Sequence, residues 1–449
     1  MVQYSTRYRT HSTSTVIVVF EKTSSQITTT LHQTCLLLLL LLLLLLLRPR
    51  AGGMAASAGA GAVGAADVYD VAVVGGGLSG LCVARGLAAR GISYALLEAS
   101  AERLGGRLRN TAGGIDLGAA WVWPAHGQHR VAALLEELGV GTFPQPGNDA
   151  GNTRVVGGTA ALVDGIVRGL EPDRLMLGWR LESARLADDD GVVVLTSSSI
   201  INTDADAQAQ PRQIFARYVV MAAPPRKLSD GSVQFSPALP APRIQAMRRA
   251  RTWMAGVTKV VVHFPEPFWR RVGGGHDIAN MGLSSGPAFQ VYDASSFEDS
   301  VVALTFFALA PAELSSAADE DHADQALAEA CCWQLAAAWR RYRVPAAFSD
   351  ALIKGCRDAA TAHVVAQRWP KAQHISDEEQ PTTIHPHPRP VAALAQAEWS
   401  GRLHFAGTES DQRSPGVIEG AIGSAHRVLA ALNRQEGLRG AAQAGAVEL

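Results

Sequence analysis

Gly75, Gly77 and Gly80 stand at G-x-G-x-x-G spacing directly after the apolar run Asp70-Val-Ala-Val-Val74, and Glu98 follows 18 positions past the last glycine. Each glycine has a separate task at a pyrophosphate site. Gly75 makes the tight turn, Gly77 lets the backbone approach the phosphates, and Gly80 lets the following helix pack close to the strand. Leu78 and Ser79 lie in the turn that leads into a helix, whose free N–H groups and positive dipole end face an anion. Glu98 sits where a carboxylate accepts hydrogen bonds from ribose hydroxyls. A second pair of glycines, Gly105-Gly106, lies between Arg103 and Arg107. It allows another close pass of the chain, with a forked cation to neutralise phosphate charge. Lys259 is the only lysine between Lys227 and Lys354, and it sits in the apolar run Lys259-Val-Val-Val. Buried, such a lysine costs a few kcal/mol unless partnered; on the solvent face of an edge strand it costs nothing. Both placements are open at this level.

These residues need a strand–turn–helix–strand unit to position them. The sequence predicts a strand over 70–74, a helix over 81–90 ending at Gly91, and a second strand over 93–97 running into Glu98. That register makes the glycines a dinucleotide fingerprint rather than an isolated triplet.

Composition agrees with a folded, non-nucleic-acid-binding protein. The 40 Lys+Arg balance 41 Asp+Glu, giving a net charge of −1 without the basic excess that nucleic acid demands. Hydrophobic residues at 47% against 18% charged supply ample core. The 449 residues suit two or three domains. Cys35, Cys82, Cys331, Cys332 and Cys356 form neither a disulfide framework nor a zinc spacing. His385-Pro-His387-Pro lacks a third ligand, so no metal site is expected.

The first 66 residues read as a leader outside the fold. Leu36–Leu47 is an unbroken run of twelve leucines. As a helix it spans about 18 Å, short of the ~30 Å hydrocarbon core, so no stable membrane span is expected. The run suits a signal-peptide core, while its Ser/Thr-rich, acid-poor surroundings suit a transit peptide. A low-complexity leader before Met54 is the third reading. Cytoplasmic and organellar addresses therefore both stay open.

Taken further along the chain, the motifs resemble those of the flavin-containing amine oxidase family. Glu98-Ala-Ser-Ala-Glu-Arg103-Leu-Gly-Gly-Arg107 is similar to the family's ribose-binding segment, one residue longer and without its first arginine. Asp116-Leu-Gly-Ala119-Ala120-Trp121 resembles the D-x-G-[GA]-x-[WY] block. Leu134–Gly139, Gly157–Leu162 and Val219–Pro225 resemble later elements of the cofactor domain. Lys259-Val-Val-Val-His-Phe-Pro-Glu-Pro-Phe-Trp269 is similar to the strand that begins with the family's active-site lysine. Gly401–Glu409 and Gly416–Ala421 resemble its closing FAD motif. The resemblance spans about 67–433.

It implies an α/β fold: a Rossmann-like FAD-binding domain with an interleaved α+β substrate domain built on an antiparallel sheet. The FAD-binding domain is expected over 67–145, 155–245 and 388–434, and the substrate domain over 246–387. The latter carries strands over 259–264, 288–293 and 301–307 and helices over 319–343 and 347–356. Residues 146–156 are expected as a short loop and 435–449 as a polar tail. The implied activity is FAD-dependent oxidation of the C–N bond of an amine, by hydride transfer to flavin N5 with oxygen as acceptor. A desaturase-like flavoenzyme for an isoprenoid or porphyrin-type substrate is one alternative, and a non-catalytic flavin-binding partner protein is another. Lys259 is the implied catalytic residue. Beside the glycines and Glu98, the implied cofactor contacts are Arg103, Arg107, Ala119, Ala120, Trp121, Leu181, Gly407, Glu409, Val417 and Ile418. Tyr292, Trp369 and Val417 are expected in the substrate pocket.

Departures from the family pattern narrow the chemistry. Trp369 is followed by no cysteine, and none occurs after Cys356, so FAD is expected without a covalent bond. Val417 stands at one wall of the family's aromatic cage and no tyrosine lies beyond Tyr342, which counts against an ordinary arylalkylamine. Trp121 occupies the position at which amino-acid oxidases carry a carboxylate-binding arginine.

Overall fold

The structure is a computed structural model that describes residues 68–147, 151–187, 191–197, 211–272, 278–309, 319–358, 363–376, 387–435 and 438. The leader, most of the tail, residues 148–150 and His385 lie outside them.

The first strand, Val68–Val74, alternates sides. Val71 and Val73 enter one apolar cluster, while Ala72 and Val74 enter another on the opposite face. Burial on both faces is what a parallel α/β sheet requires, and it explains the unbroken apolar run. This strand pairs in parallel with Tyr94–Leu97 on one side and Arg212–Met221 on the other. Arg212–Met221 also receives Leu403–Phe405 in parallel, so a late strand joins the same sheet one strand away from Val68–Val74. Four further strands, Leu175–Met176, Ser183–Leu186, Val193–Ser197 and Gln234–Ser236, complete an eight-stranded sheet. The helices Leu78–Ala88 and Ile418–Leu432 pack together on one face of it. The first helix starts at Leu78 rather than Leu81, because Gly77 adopts the extended conformation of a cap and the helix begins at once.

A second, antiparallel sheet runs in the order Met281–Gly282, Ala288–Asp293, Val302–Ala308, Thr258–Phe264, Val364–Arg368. The three expected strands are present, and Val364–Arg368 is an edge strand that the sequence reading leaves out. Alternation again divides the side chains. Val260, Val262 and Phe264 pack under the helices Glu320–Arg341 and Ala346–Arg357, while Lys259 and Val261 face the other way. The long helix is opened by Asp319, whose carboxylate accepts the His322 backbone N–H at 3.0 Å.

Residues 146–156 are not simply a loop. Thr153–Val155 pairs antiparallel with both Thr142–Pro144 and Trp121–Val122, making a small three-stranded sheet. The main-chain partners of Arg154 are Phe143, across a short antiparallel connection, and Trp121, further back in the chain.

Candidate active site

One cavity of about 1530 Å³ runs between the glycine loop and the antiparallel sheet. The glycines at its head divide their work as their surroundings dictate. Gly75 has φ +110°, and a side chain there would meet the backbone of Ala222 and Ala223 at 2.9 Å. At Gly80 a Cβ would stand 1.9 Å from the Gly75 carbonyl, so the helix can approach only without one. At Gly77 a Cβ would meet no atom within 4 Å: that glycine keeps space open for a ligand. The second turn closes over the first, with Gly105 N–H donating to Gly76 O at 2.8 Å. Glu98 accepts the backbone N–H of Gly76 at 2.6 Å and of Ser100 at 2.8 Å. Its carboxylate is thereby fixed on the cavity wall.

Serine hydroxyls tie the remote segments together. Ser79 and Ser424 lie 2.8 Å apart, and Gly407 N–H donates to both, at 2.9 and 3.1 Å. The first helix, the last helix and the loop after Leu403–Phe405 thus meet at one buried point. Val417 caps the helix Ile418–Leu432, and its carbonyl accepts from Thr408 Oγ1 at 2.8 Å. The positive end of that helix opens into the cavity, where Val417 and Ile418 line the wall with Ala119, Ala120 and Leu181.

Three of the expected cofactor contacts carry hydrogen bonds within the protein. Arg103 lines the cavity but donates to the carbonyls of Leu104 (2.9 Å) and Gly106, and so braces the glycine turn. Arg107 donates from both terminal nitrogens to Glu409, at 2.7 and 3.1 Å. Glu409 is 3% exposed and off the cavity wall, so it holds Arg107 rather than facing a ligand directly.

Opposite the glycine loop, Lys259 lies on the cavity wall at 2% exposure. Strand alternation turns it to the side of Phe307 and Gln367, its register partners on the two neighbouring strands. Its ammonium donates to Gly118 O at 2.7 Å, Asp116 O at 3.1 Å and Tyr292 Oη at 3.2 Å. It also sits 4.8 Å from the Phe307 ring centre. Burial lowers its pKa from the usual 10.5 to about 7; the Asp116 charge opposes that fall and Arg154 adds to it.

Trp121 stacks on Phe307 at 5.9 Å and anchors its indole N–H on Gln145 at 2.9 Å. Trp369 lines the opposite side, its indole donating to Leu117 O at 2.9 Å. Tyr292 does not line the pocket as expected. It is 1% exposed and off the cavity wall, packed 4.7 Å behind Trp121 with its hydroxyl on Lys259. Phe289 and Phe307 form the wall in its place.

Sequence reasoning misses the group behind this wall. Asp116 is fully buried, and its carboxylate accepts Arg154 Nη2 at 3.3 Å and the Thr159 N–H and hydroxyl at 2.7 and 3.0 Å. Arg109, donating to Gln367 at 2.6 Å on the cavity wall, is also missed.

A glycine-rich turn, a carboxylate fixed on the wall, an open helix N-terminus and a buried lysine share one cavity, the arrangement of a dinucleotide-dependent oxidoreductase. The residues fit the cofactor, since the space above Gly77 is open and polar groups converge on it. The chain belongs to the flavin-containing amine oxidoreductase family, whose sequence pattern matches residues 145–433. A NAD(P)-binding Rossmann-like pattern matches 73–138. The family is flavin-containing, and FAD is the cofactor.

Among curated relatives, a probable flavin-containing monoamine oxidase A from Dictyostelium discoideum is 23% identical over 279 residues, 61% of this chain and 52% of that one. The chain thus spans about half the length of this relative. An L-amino acid dehydrogenase from Synechocystis is 43% identical over 81 residues, 17% of each chain. The solved structure of a putrescine oxidase with putrescine superposes with a TM-score of 0.60 at 17% identity, covering 82% of this chain and 99% of that one. Cyclohexylamine oxidase from Brevibacterium oxydans gives 0.58 at 18% identity over the same shares. At these identities the structural likeness speaks for the fold. No helix among the described residues is long and apolar enough to cross a membrane.

Proposed function

We propose that this cleft oxidises the C–N bond of a small amine, with oxygen as the terminal acceptor. The observation that carries the reading is that Lys259, buried among aromatic rings, shares one cavity with the glycine loop and the N-terminus of Ile418–Leu432. Bound there, FAD would supply the two-electron redox chemistry between amine and oxygen.

The chain's own groups supply position, dryness and charge. Gly77 and the first turn of Leu78–Ala88 receive the pyrophosphate, with Arg107 held in place by Glu409. Glu98 receives the adenosine ribose. The open turn at Val417–Ile418 offers its positive end to negative charge developing on the bound ring. Trp121, Phe289, Phe307 and Trp369 exclude water and suit an amine with an apolar substituent. Lys259 holds a proton at Nζ. With its pKa near 7, it can carry that proton or release it at working pH, and its charge stabilises negative charge beside it. In this reading 67–145, 155–245 and 388–434 make the cofactor domain and 246–387 the substrate domain.

The test is aerobic incubation with a panel of primary, secondary and diamine substrates, scoring peroxide and the carbonyl product. Matched yields of both from at least one amine support the reading. Carbonyl product without peroxide, formed only with an added electron acceptor, rejects oxygen as the acceptor.

A further inference from the structure

We infer that Arg154 is a positioning residue for the active site: by occupying the carboxylate of Asp116, it leaves Lys259 without a counter-ion and so sets how readily Lys259 gives up its proton. Three elements meet in this arrangement. Arg154, on Thr153–Val155, is 1% exposed and forks its guanidinium between Asp116 Oδ2 (3.3 Å) and Ser295 O (3.0 Å). Asp116 places its other oxygen on the Thr159 N–H and hydroxyl, so both carboxylate oxygens are engaged away from the lysine. Lys259 touches the same residue only through its backbone carbonyl, and its remaining acceptors are another carbonyl and a phenol. Every acceptor of its ammonium is therefore formally neutral.

The Tyr292 ring lies within reach of both cations, 5.4 Å from Lys259 Nζ and 5.8 Å from Arg154 Cζ. Among the described residues the other neighbours bring no compensating charge: Asp293, next to Tyr292, is held by Trp269 and Arg270. Val302–Ala308 carries no titratable residue. On Val364–Arg368, Gln367 is neutral and Arg368 is paired with Asp324 on the long helix. Burial keeps the Tyr292 phenol protonated. Arg109, above Gln367, is a further cation. One carboxylate thus serves two buried cations, and the geometry gives it to Arg154. The physical consequence is a lysine whose charged form is disfavoured by desolvation and left without a direct ion pair.

The meaning of this arrangement for turnover rests on the function proposed above, but its test does not require turnover. The chain has five lysines, so ¹⁵Nζ-lysine labelling of the holoenzyme gives few resonances, and Lys259→Met assigns the one of interest. The midpoint of Lys259 is expected to rise by about one unit or more in Arg154→Met, a tenfold gain in proton affinity. It is expected to return towards the wild-type value in Arg154→Lys and to fall in Asp116→Asn, where the anion is lost and Arg154 stays. Asp116→Asn keeps the question answerable if Arg154→Met does not fold. An unchanged or lowered midpoint in Arg154→Met overturns the inference, as does an unchanged or raised midpoint in Asp116→Asn.

Discussion

Arg107 and Glu409, 302 positions apart in the chain, meet as a two-pronged ion pair with both nitrogen–oxygen contacts at or below 3.1 Å. Glu409 is buried while Arg107 reaches the cavity, so the glutamate acts as the anchor and the arginine as the presented charge. Each residue taken alone reads as a cofactor ligand; together they form a clamp between the second glycine turn and the closing segment. Glu409→Ala leaves a fork without its carboxylate, and FAD affinity is expected to fall tenfold or more, at about 1.4 kcal/mol per factor of ten. The measurement is FAD retention on desalting, with fluorescence titration of the stripped protein. Affinity equal to wild type contradicts the clamp.

Two glycines of the loop, Gly77 and Gly80, separate under single alanine substitutions. Gly77→Ala adds a methyl to open space at a negative φ, so apoprotein stability is expected to stay within about 0.5 kcal/mol of wild type while FAD binding collapses. Gly80→Ala drives a methyl into the Gly75 carbonyl and is expected to destabilise the apoprotein itself. Paired melts with and without FAD distinguish the two. Equal behaviour of both variants removes the division of labour.

Burying Lys259 has a stability cost whose pH dependence has a definite sign. Its pKa is near 7 folded against 10.5 ordinarily, so between those values the unfolded chain binds more protons and stability rises with pH. Lys259→Met removes the cost and is expected to be more stable than wild type by a few kcal/mol at pH 7 and below, the gap closing towards pH 10.5. The same variant is expected to slow reoxidation of the reduced flavin by oxygen. Unchanged reoxidation removes the lysine from that step.

His404 works in the other pH range. It is buried on Leu403–Phe405, and desolvation lowers its pKa from 6.5 to about 4. Its neutral form is stabilising above pH 6.5, and the stabilisation is lost as pH falls from there to about 4. This difference is worth about 3 kcal/mol. His404→Gln is expected to flatten that part of the acid-unfolding curve, measured by denaturant melts at stepped pH.

How much of this was legible depended on how local each signal is. The glycine loop, Glu98 and the strand carrying Lys259 could be read because a strand, a turn and a helix announce themselves over about thirty residues. Lys259 lines the cavity, but its acceptors are two backbone carbonyls and a phenol, and carbonyls have no sequence signature. Asp116 stood inside a recognisable block, yet Arg154 is 38 positions away on a separate strand. Tyr292 shares a sheet face with Lys259, as alternation requires, but only the three-dimensional position of Trp121 shows that it is covered. Arg103 and Glu409 stand in motifs that the sequence makes visible, while their partners within the protein depend on tertiary closure.

The most direct test of the central claim is anaerobic mixing of the purified yellow protein with the amine panel, followed by admission of air. The account predicts that at least one amine bleaches the oxidised-flavin absorbance in a single turnover, and that air restores it with one equivalent of peroxide. A flavin band that no amine in the panel diminishes, in a protein that photoreduction bleaches normally, contradicts it.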